Sequence, residues 1–265
     1  MKSLISAVLI CICFSFSARA ALSNDFNIIV DVQGGLTASQ QTIFADAEAF
    51  WESFIVAYQD GIATDGLVIS ANGVAIDGAG GILGQAGPTT VWDAANGYTY
   101  ALSGLMQFDT ADLTAMENAG TLFDVILHEM AHVIGFGTLW GALYNDLLNA
   151  QGNYIGEFAL DAYRFEMGDN SLDSIPVEQG GGAGTAGAHW DETDGGGDTE
   201  LMSGWLDSPA TLSLTTVLAF ADLGYVVDLS AFFQEPEPVP EPQTILLLLA
   251  AMLGFVRFKT KANVQ

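Results

Sequence analysis

The chain has 265 residues, half of them hydrophobic, and a formal net charge of −26 at pH 7. A body this acidic makes nucleic acid and anionic lipid surfaces poor partners. Cysteine occurs only as Cys11 and Cys13, so no disulfide framework can hold the remainder together.

Lys2, the apolar run Leu4 to Phe16 and the small-x-small sequence Ala18-Arg19-Ala20 predict a secretory signal peptide over residues 1–20. The run is too short to span a bilayer. Both cysteines leave with it, and the stability of the exported protein then rests on its core alone. Residues 21–232 suffice for one sizeable core or for two lobes around a cleft. Arg164 is the only Lys or Arg among them. Such acidity suits a salty or calcium-rich setting, although solvated carboxylates account for most of it.

Phe26–Val32 reads as a strand by its β-branched content. Thr37 and Gln40 form a capping box, and Ile43, Phe44, Ala47, Phe50, Trp51, Phe54, Ile55 and Tyr58 follow at helical spacing. This aromatic stripe is core. From Gly66 to Gly87 short apolar pieces alternate with glycine turns, which predicts a small sheet. Tyr98–Phe108 is a further strand, and Asp109–Asp112 turns into a short helical segment.

Thr121 to Gly137 contains His128-Glu129-Met130-Ala131-His132 inside an apolar, helix-compatible run. Positions i and i+4 put both imidazoles on one helix face, one turn apart, where they can share a metal ion. Glu129 projects beside that ion, in the place of a base for a metal-bound water. Gly135 can end the helix by taking φ > 0. The competing reading is a buried helix with two satisfied histidines.

Beyond Trp140, Leu143–Leu148 and Phe158–Phe165 predict short helices around an Asn-Gly-rich loop. Gly180 to Gly197 holds eight glycines in 18 residues, with His189-Trp190 in the middle. A free linker would not need a histidine beside a tryptophan. Asp191, Glu192, Asp194, Asp198 and Glu200 could hold calcium through oxygen ligands, but a solvated loop is the simpler reading. Ser213 caps a last helix, Leu214–Leu223, closed by Gly224.

A hydrolytic zinc site needs three protein ligands and an open position. The compact pattern would place its third histidine at 138, which here is Thr138. The chain has three histidines in all, so only His189 remains. His128 to Trp140, then His189-Trp190, then Glu200-Leu201-Met202-Ser203-Gly204, resembles the leishmanolysin-like metallopeptidases, which carry an insertion between their second and third zinc histidines. The resemblance runs from about Phe26 to Val227. It implies an α+β metzincin fold: an N-terminal lobe with a twisted mixed sheet and two long helices, a C-terminal lobe of loops and short helices, and a zinc cleft between them. It implies zinc on His128, His132 and His189, Glu129 as base, and Met202 as the Met-turn beneath the metal. It also implies that an edge strand before the active helix pairs with extended substrate, which makes Ala101, Ser103 and Leu105 the expected substrate strand. No second oxyanion donor is evident, since tyrosines near Met202 are absent. A degenerate scaffold serving as a non-catalytic surface or matrix protein, or a zinc hydrolase of a non-peptide amide, stands as the alternative.

The tail reads as a spacer over 233–243 and a sorting segment over 244–265. Glu235 to Pro242 is acidic and polyproline-like. The apolar Ile245–Val256 is followed by Arg257, Lys259 and Lys261, short for a permanent span but sufficient for a transient anchor. With Val239-Pro-Glu-Pro-Gln-Thr244 before it, this ending resembles PEP-CTERM sorting signals of Gram-negative bacteria. That resemblance implies an exosortase-type protease as partner, transient contact with the inner membrane, and delivery to the cell surface or matrix.

Overall fold

The structure, a computed structural model, describes residues 25–192, 199–205 and 207–233. The predicted signal peptide, the sorting segment, nearly all of the spacer, and Asp194 and Asp198 lie outside these residues. The chain divides into two compact units, Met1–Asp228 and Leu229–Gln265. Of the second, the described residues make a turn in which Phe232 N donates to Leu229 O (3.0 Å). No helix among the described residues is long and apolar enough to cross a membrane.

The first unit is mixed α and β. β1 (Ile28–Gly34) leads into α1 (Ala38–Phe54), which opens with the expected capping box: Gln40 N donates to Thr37 Oγ1 (3.3 Å), and Thr37 N to Gln40 Oε1 (2.9 Å). Phe44, Ala47, Trp51 and Phe54 recur at three- and four-residue spacing and face the core. Glutamates on the same helix cover the outer edge of β1, Ile28 N donating to Glu52 (2.7 Å) and Val30 N to Glu48 (2.8 Å). β2 (Ile55–Tyr58) follows directly.

β3 (Leu67–Val74), β4 (Gly84–Asp93) and β5 (Thr99–Asp109) complete a four-stranded sheet of order β1-β3-β5-β4. The first three strands are parallel and β4 runs antiparallel to β5. This order corrects one expectation. β5 is an inner strand: Ser103 and Leu105 have neighbours in both β3 and β4, and Ala101 pairs with Val91 of β4. The edge is β4, where Pro88 is tolerated because an edge strand need not donate on its outer side.

α2 (Leu113–Ala119) and α3 (Leu122–Ile134) come next. α3 is buried on most of its surface and lies directly on β5, since a Cβ at Gly104 would stand 2.2 Å from Val133 Cγ1. Its other flank is held by Trp51, whose indole N–H donates to Leu127 O (3.1 Å). α4 (Glu157–Met167) and α5 (Leu214–Asp222) form an antiparallel pair that exchanges caps. Asp222 accepts from Phe158 N and Ala159 N at the start of α4 (2.9 Å each), and Glu166 accepts from Leu214 N at the start of α5 (2.8 Å). β6 (Tyr225–Val227) then pairs with β2 and returns the chain to the end of α1.

Leu143–Leu148 is not the expected helix: Leu143–Asn145 form a turn and Leu148 bridges to Tyr154. The Asn145 side chain is drawn away to Thr99 N (2.9 Å) and Leu139 O (2.9 Å), and Asp146 takes φ 54°. Tertiary hydrogen bonds override a weak helical pattern there.

Candidate metal centre

α3 supplies two imidazoles from one face. His128 and His132 are one turn apart, and their Nε2 atoms lie 3.1 Å from each other. Gly135 ends the helix at φ 138°, a conformation that a residue with a Cβ rarely adopts. Gly137 then takes φ 71° and packs so closely on the next segment that a Cβ there would meet Ala188 O at 2.2 Å. The Trp140 indole donates to Gly187 O (2.9 Å). Trp190, fully buried against Phe136, Trp140 and Tyr154, donates its backbone N–H to Met202 O (3.0 Å). The glycine-rich segment is therefore pinned on both sides of His189.

That pinning brings His189 Nε2 to 3.0 Å from His128 Nε2 and from His132 Nε2. The three nitrogens do not hydrogen-bond one another. Each ring donates Nδ1–H to a backbone carbonyl: His128 to Leu201 O (2.7 Å), His132 to Phe136 O (2.9 Å) and His189 to Thr185 O (2.9 Å). A neutral imidazole has one N–H, so all three Nε2 lone pairs point at a common centre. Burial holds the rings in that neutral form. It pushes His128 down to about 3, with help from His189, moves His132 well below the usual histidine range, and lowers His189 too.

Glu129, also buried, lines the same cleft of about 730 Å³. Burial alone pushes its carboxyl up to about 8. One wall of the cleft is residues 81–86, the entry to edge strand β4; another carries Thr185, Gly204 and the half-exposed Trp205. Met202 is fully buried, one residue beyond the carbonyl that holds His128.

With this geometry in hand, comparison with known proteins is decisive for the family. The leishmanolysin (peptidase M8) family model matches residues 57–232, more than half of the chain. The chain belongs to the leishmanolysin family. No curated protein matches it.

Leishmanolysin-family proteins are zinc metallopeptidases, and the donor set here fits that ion. A tetrahedral zinc at about 2.0–2.1 Å from each nitrogen asks for nitrogen separations of about 3.3 Å. The triangle of 3.0, 3.0 and 3.1 Å comes within a few tenths of that. Three unprotonated nitrogens facing one another inside a protein are unfavourable until a cation lies among them. Among the described residues this triad is the only group of three or more His, Cys, Asp or Glu that can hold a metal ion.

The described acidic residues beside it do not converge. Glu200 turns into the core, and Glu192 accepts from Trp205 N (3.1 Å). Several residues of the site escape a reading of the sequence: Gly84 against Glu129, Thr185 behind His189, and Trp205 at the cleft wall. Only Pro88 offered a signal, since it marks β4 as an edge.

Proposed function

We propose that this leishmanolysin-family chain is an exported zinc endopeptidase, with zinc on His128, His132 and His189 and Glu129 as general base. The observation that carries this reading is the convergence of three Nδ1-tethered imidazoles in a cleft that also holds Glu129. Zinc, when bound, acidifies water at its open position towards a pKa of about 7 and polarises a substrate carbonyl. Glu129 takes the proton of the attacking water and delivers it to the leaving amine. Burial raises the proton affinity of its carboxylate, which suits a group that must take a proton. The carbonyls of Leu201, Phe136 and Thr185 hold the three rings in the ligating tautomer.

An extended peptide binds along the outer side of β4 rather than beside Ala101, Ser103 and Leu105, whose strand is already paired. Signal cleavage after Ala20 exports the chain. The PEP-CTERM-like ending is removed by an exosortase-type protease after transient anchoring in the inner membrane of a Gram-negative cell, and the product reaches the surface or matrix. Support for both steps is sequence pattern alone.

Purified protein should contain stoichiometric zinc and digest casein, and a chelator should abolish digestion until zinc is restored. Metal-free protein with full activity would overturn the reading. Mass spectrometry of the cell-surface form should find an N-terminus at Ala21 and loss of the sorting segment.

A further inference from the structure

Glu200 takes no part in the chemistry proposed above, yet it is only 2% exposed. Among the described residues the sole Lys or Arg, Arg164, pairs with Asp161, so Glu200 is buried without a cation. Burying a lone carboxylate is unfavourable unless hydrogen bonds compensate, and an apolar residue would fill the same space at less cost. What an apolar residue cannot do is join several segments at fixed spacing.

The carboxylate ties its own segment to the start of α5 and, through Thr216, to Trp190. Oε1 accepts from Ser213 Oγ (2.9 Å), Ser213 N (3.4 Å) and Thr216 Oγ1 (2.5 Å), all at the start of α5. Oε2 accepts from Met202 N (2.5 Å). Thr216 Oγ1 in turn accepts the Trp190 indole N–H (2.8 Å), and Ser213 Oγ accepts Thr216 N (3.0 Å). The Thr216 hydroxyl proton is aimed at Glu200, and that of Ser213 faces Glu200 Oε1 (2.9 Å) and Thr216 Oγ1 (3.2 Å). Burial pushes this carboxyl up, and the hydrogen bonds from Thr216, Met202 and Ser213 act in the opposite direction.

Two of the three histidines hang from the segment clamped in this way. Leu201 O, one peptide before Met202, holds His128 Nδ1 (2.7 Å). Met202 O holds Trp190 N (3.0 Å), the residue after His189. We propose that Glu200 is a positioning residue for the metal centre, fixing the Leu201–Met202 segment and Trp190 so that His128 and His189 converge. The inference rests on the zinc reading above and adds a residue to it.

Glu200→Gln replaces one acceptor oxygen by an NH₂ group, which must then face either Met202 N–H or the Ser213 and Thr216 donors. Full-length protein and this variant are compared by zinc competition against a chromogenic chelator and by the visible spectrum of the cobalt-substituted form. Residues supporting metal ligands typically change affinity by about 10–100-fold. The variant should lose zinc affinity by that factor, with a displaced cobalt band and an unchanged far-UV spectrum. A lowered melting temperature with wild-type zinc affinity and cobalt band would make Glu200 merely structural and overturn the proposal. If Glu200→Gln does not fold, Thr216→Val, which breaks the link to Trp190, carries the test: a smaller loss in the same direction supports the proposal, and unchanged affinity refutes it. Wild-type protein that takes up neither zinc nor cobalt would sink the zinc reading itself, and this inference with it.

Discussion

His189→Ala tests the least local feature of the site. His189 Nε2 lies 3.0 Å from both partner nitrogens, yet it stands 57 residues beyond His132 in sequence. Four-ligand structural zinc sites bind with about 10–16 kcal/mol, so an average ligand contributes about 2.5–4 kcal/mol, or two to three powers of ten in affinity. The cost to the apoprotein should be far smaller. One hydrogen bond, His189 Nδ1 to Thr185 O, is lost, worth about 1 kcal/mol, and relief of three facing lone pairs offsets part of it. Trp190, Gly187 and Ala188 keep their anchors. Expected, then, is a folded variant with near-normal apo melting, zinc affinity down at least a hundredfold by chelator competition, and no casein digestion. Asp191→Ala and Glu192→Ala should keep their zinc. A His189→Ala protein with wild-type zinc affinity and activity would refute the three-histidine site.

Glu129→Gln keeps size and hydrogen bonding but cannot take a proton, so casein digestion should fall by several powers of ten while zinc content stays stoichiometric; retained activity would remove Glu129 as base. Gly84→Ala places a methyl 3.1 Å from Glu129 Cγ and Oε1 and 3.2 Å from Phe108 Cδ1. It should lower kcat about tenfold or more through displacement of the base, with zinc affinity unchanged; an unaltered kcat would show that the wall yields freely. Burial pushes Asp222 up to about 6, above its unfolded value near 4. The folded state therefore holds that proton more tightly, and the stability it contributes is complete below about pH 4 and lost as pH rises through about 6. Relative to Asp222→Asn, wild-type protein should gain melting temperature between pH 7 and pH 5; equal slopes would remove Asp222 from the pH response.

Local chemistry was legible in the sequence. The Thr37–Gln40 box, the HExxH spacing, the stop at Gly135 and the Ser213 cap each depend on residues within one helical turn, and all recur as read. What failed depends on partners distant in sequence. Leu143–Leu148 lost its helix because Asn145 bonds to Thr99, 46 positions away. That β5 is an inner strand is invisible locally because strand order comes from the sheet, where β4 pairs outside it across the turn at Ala94–Gly97. Glu200 looked like one more acid in a solvated loop, since nothing near it in sequence announces Thr216 and Trp190.

The three ligands are thus placed by different orders of structure. The helix alone puts His128 and His132 on one face, though His128 also takes its ring orientation from Leu201 O, and that helix is braced from outside by Trp51 and from beneath by the gap at Gly104. Trp51 belongs to α1, ahead of the region that the leishmanolysin model matches, so the brace comes from a part of the chain that the family model does not cover. His189 needs the whole second half: Gly137 against Ala188, Trp140 on Gly187, Trp190 on Met202, and Glu200 behind them. A helix pair that offers two lone pairs can bind many ions weakly. On the proposed reading the third nitrogen, arriving only when the distant segment has packed, completes the zinc site, so metal affinity should report on how completely that half has folded.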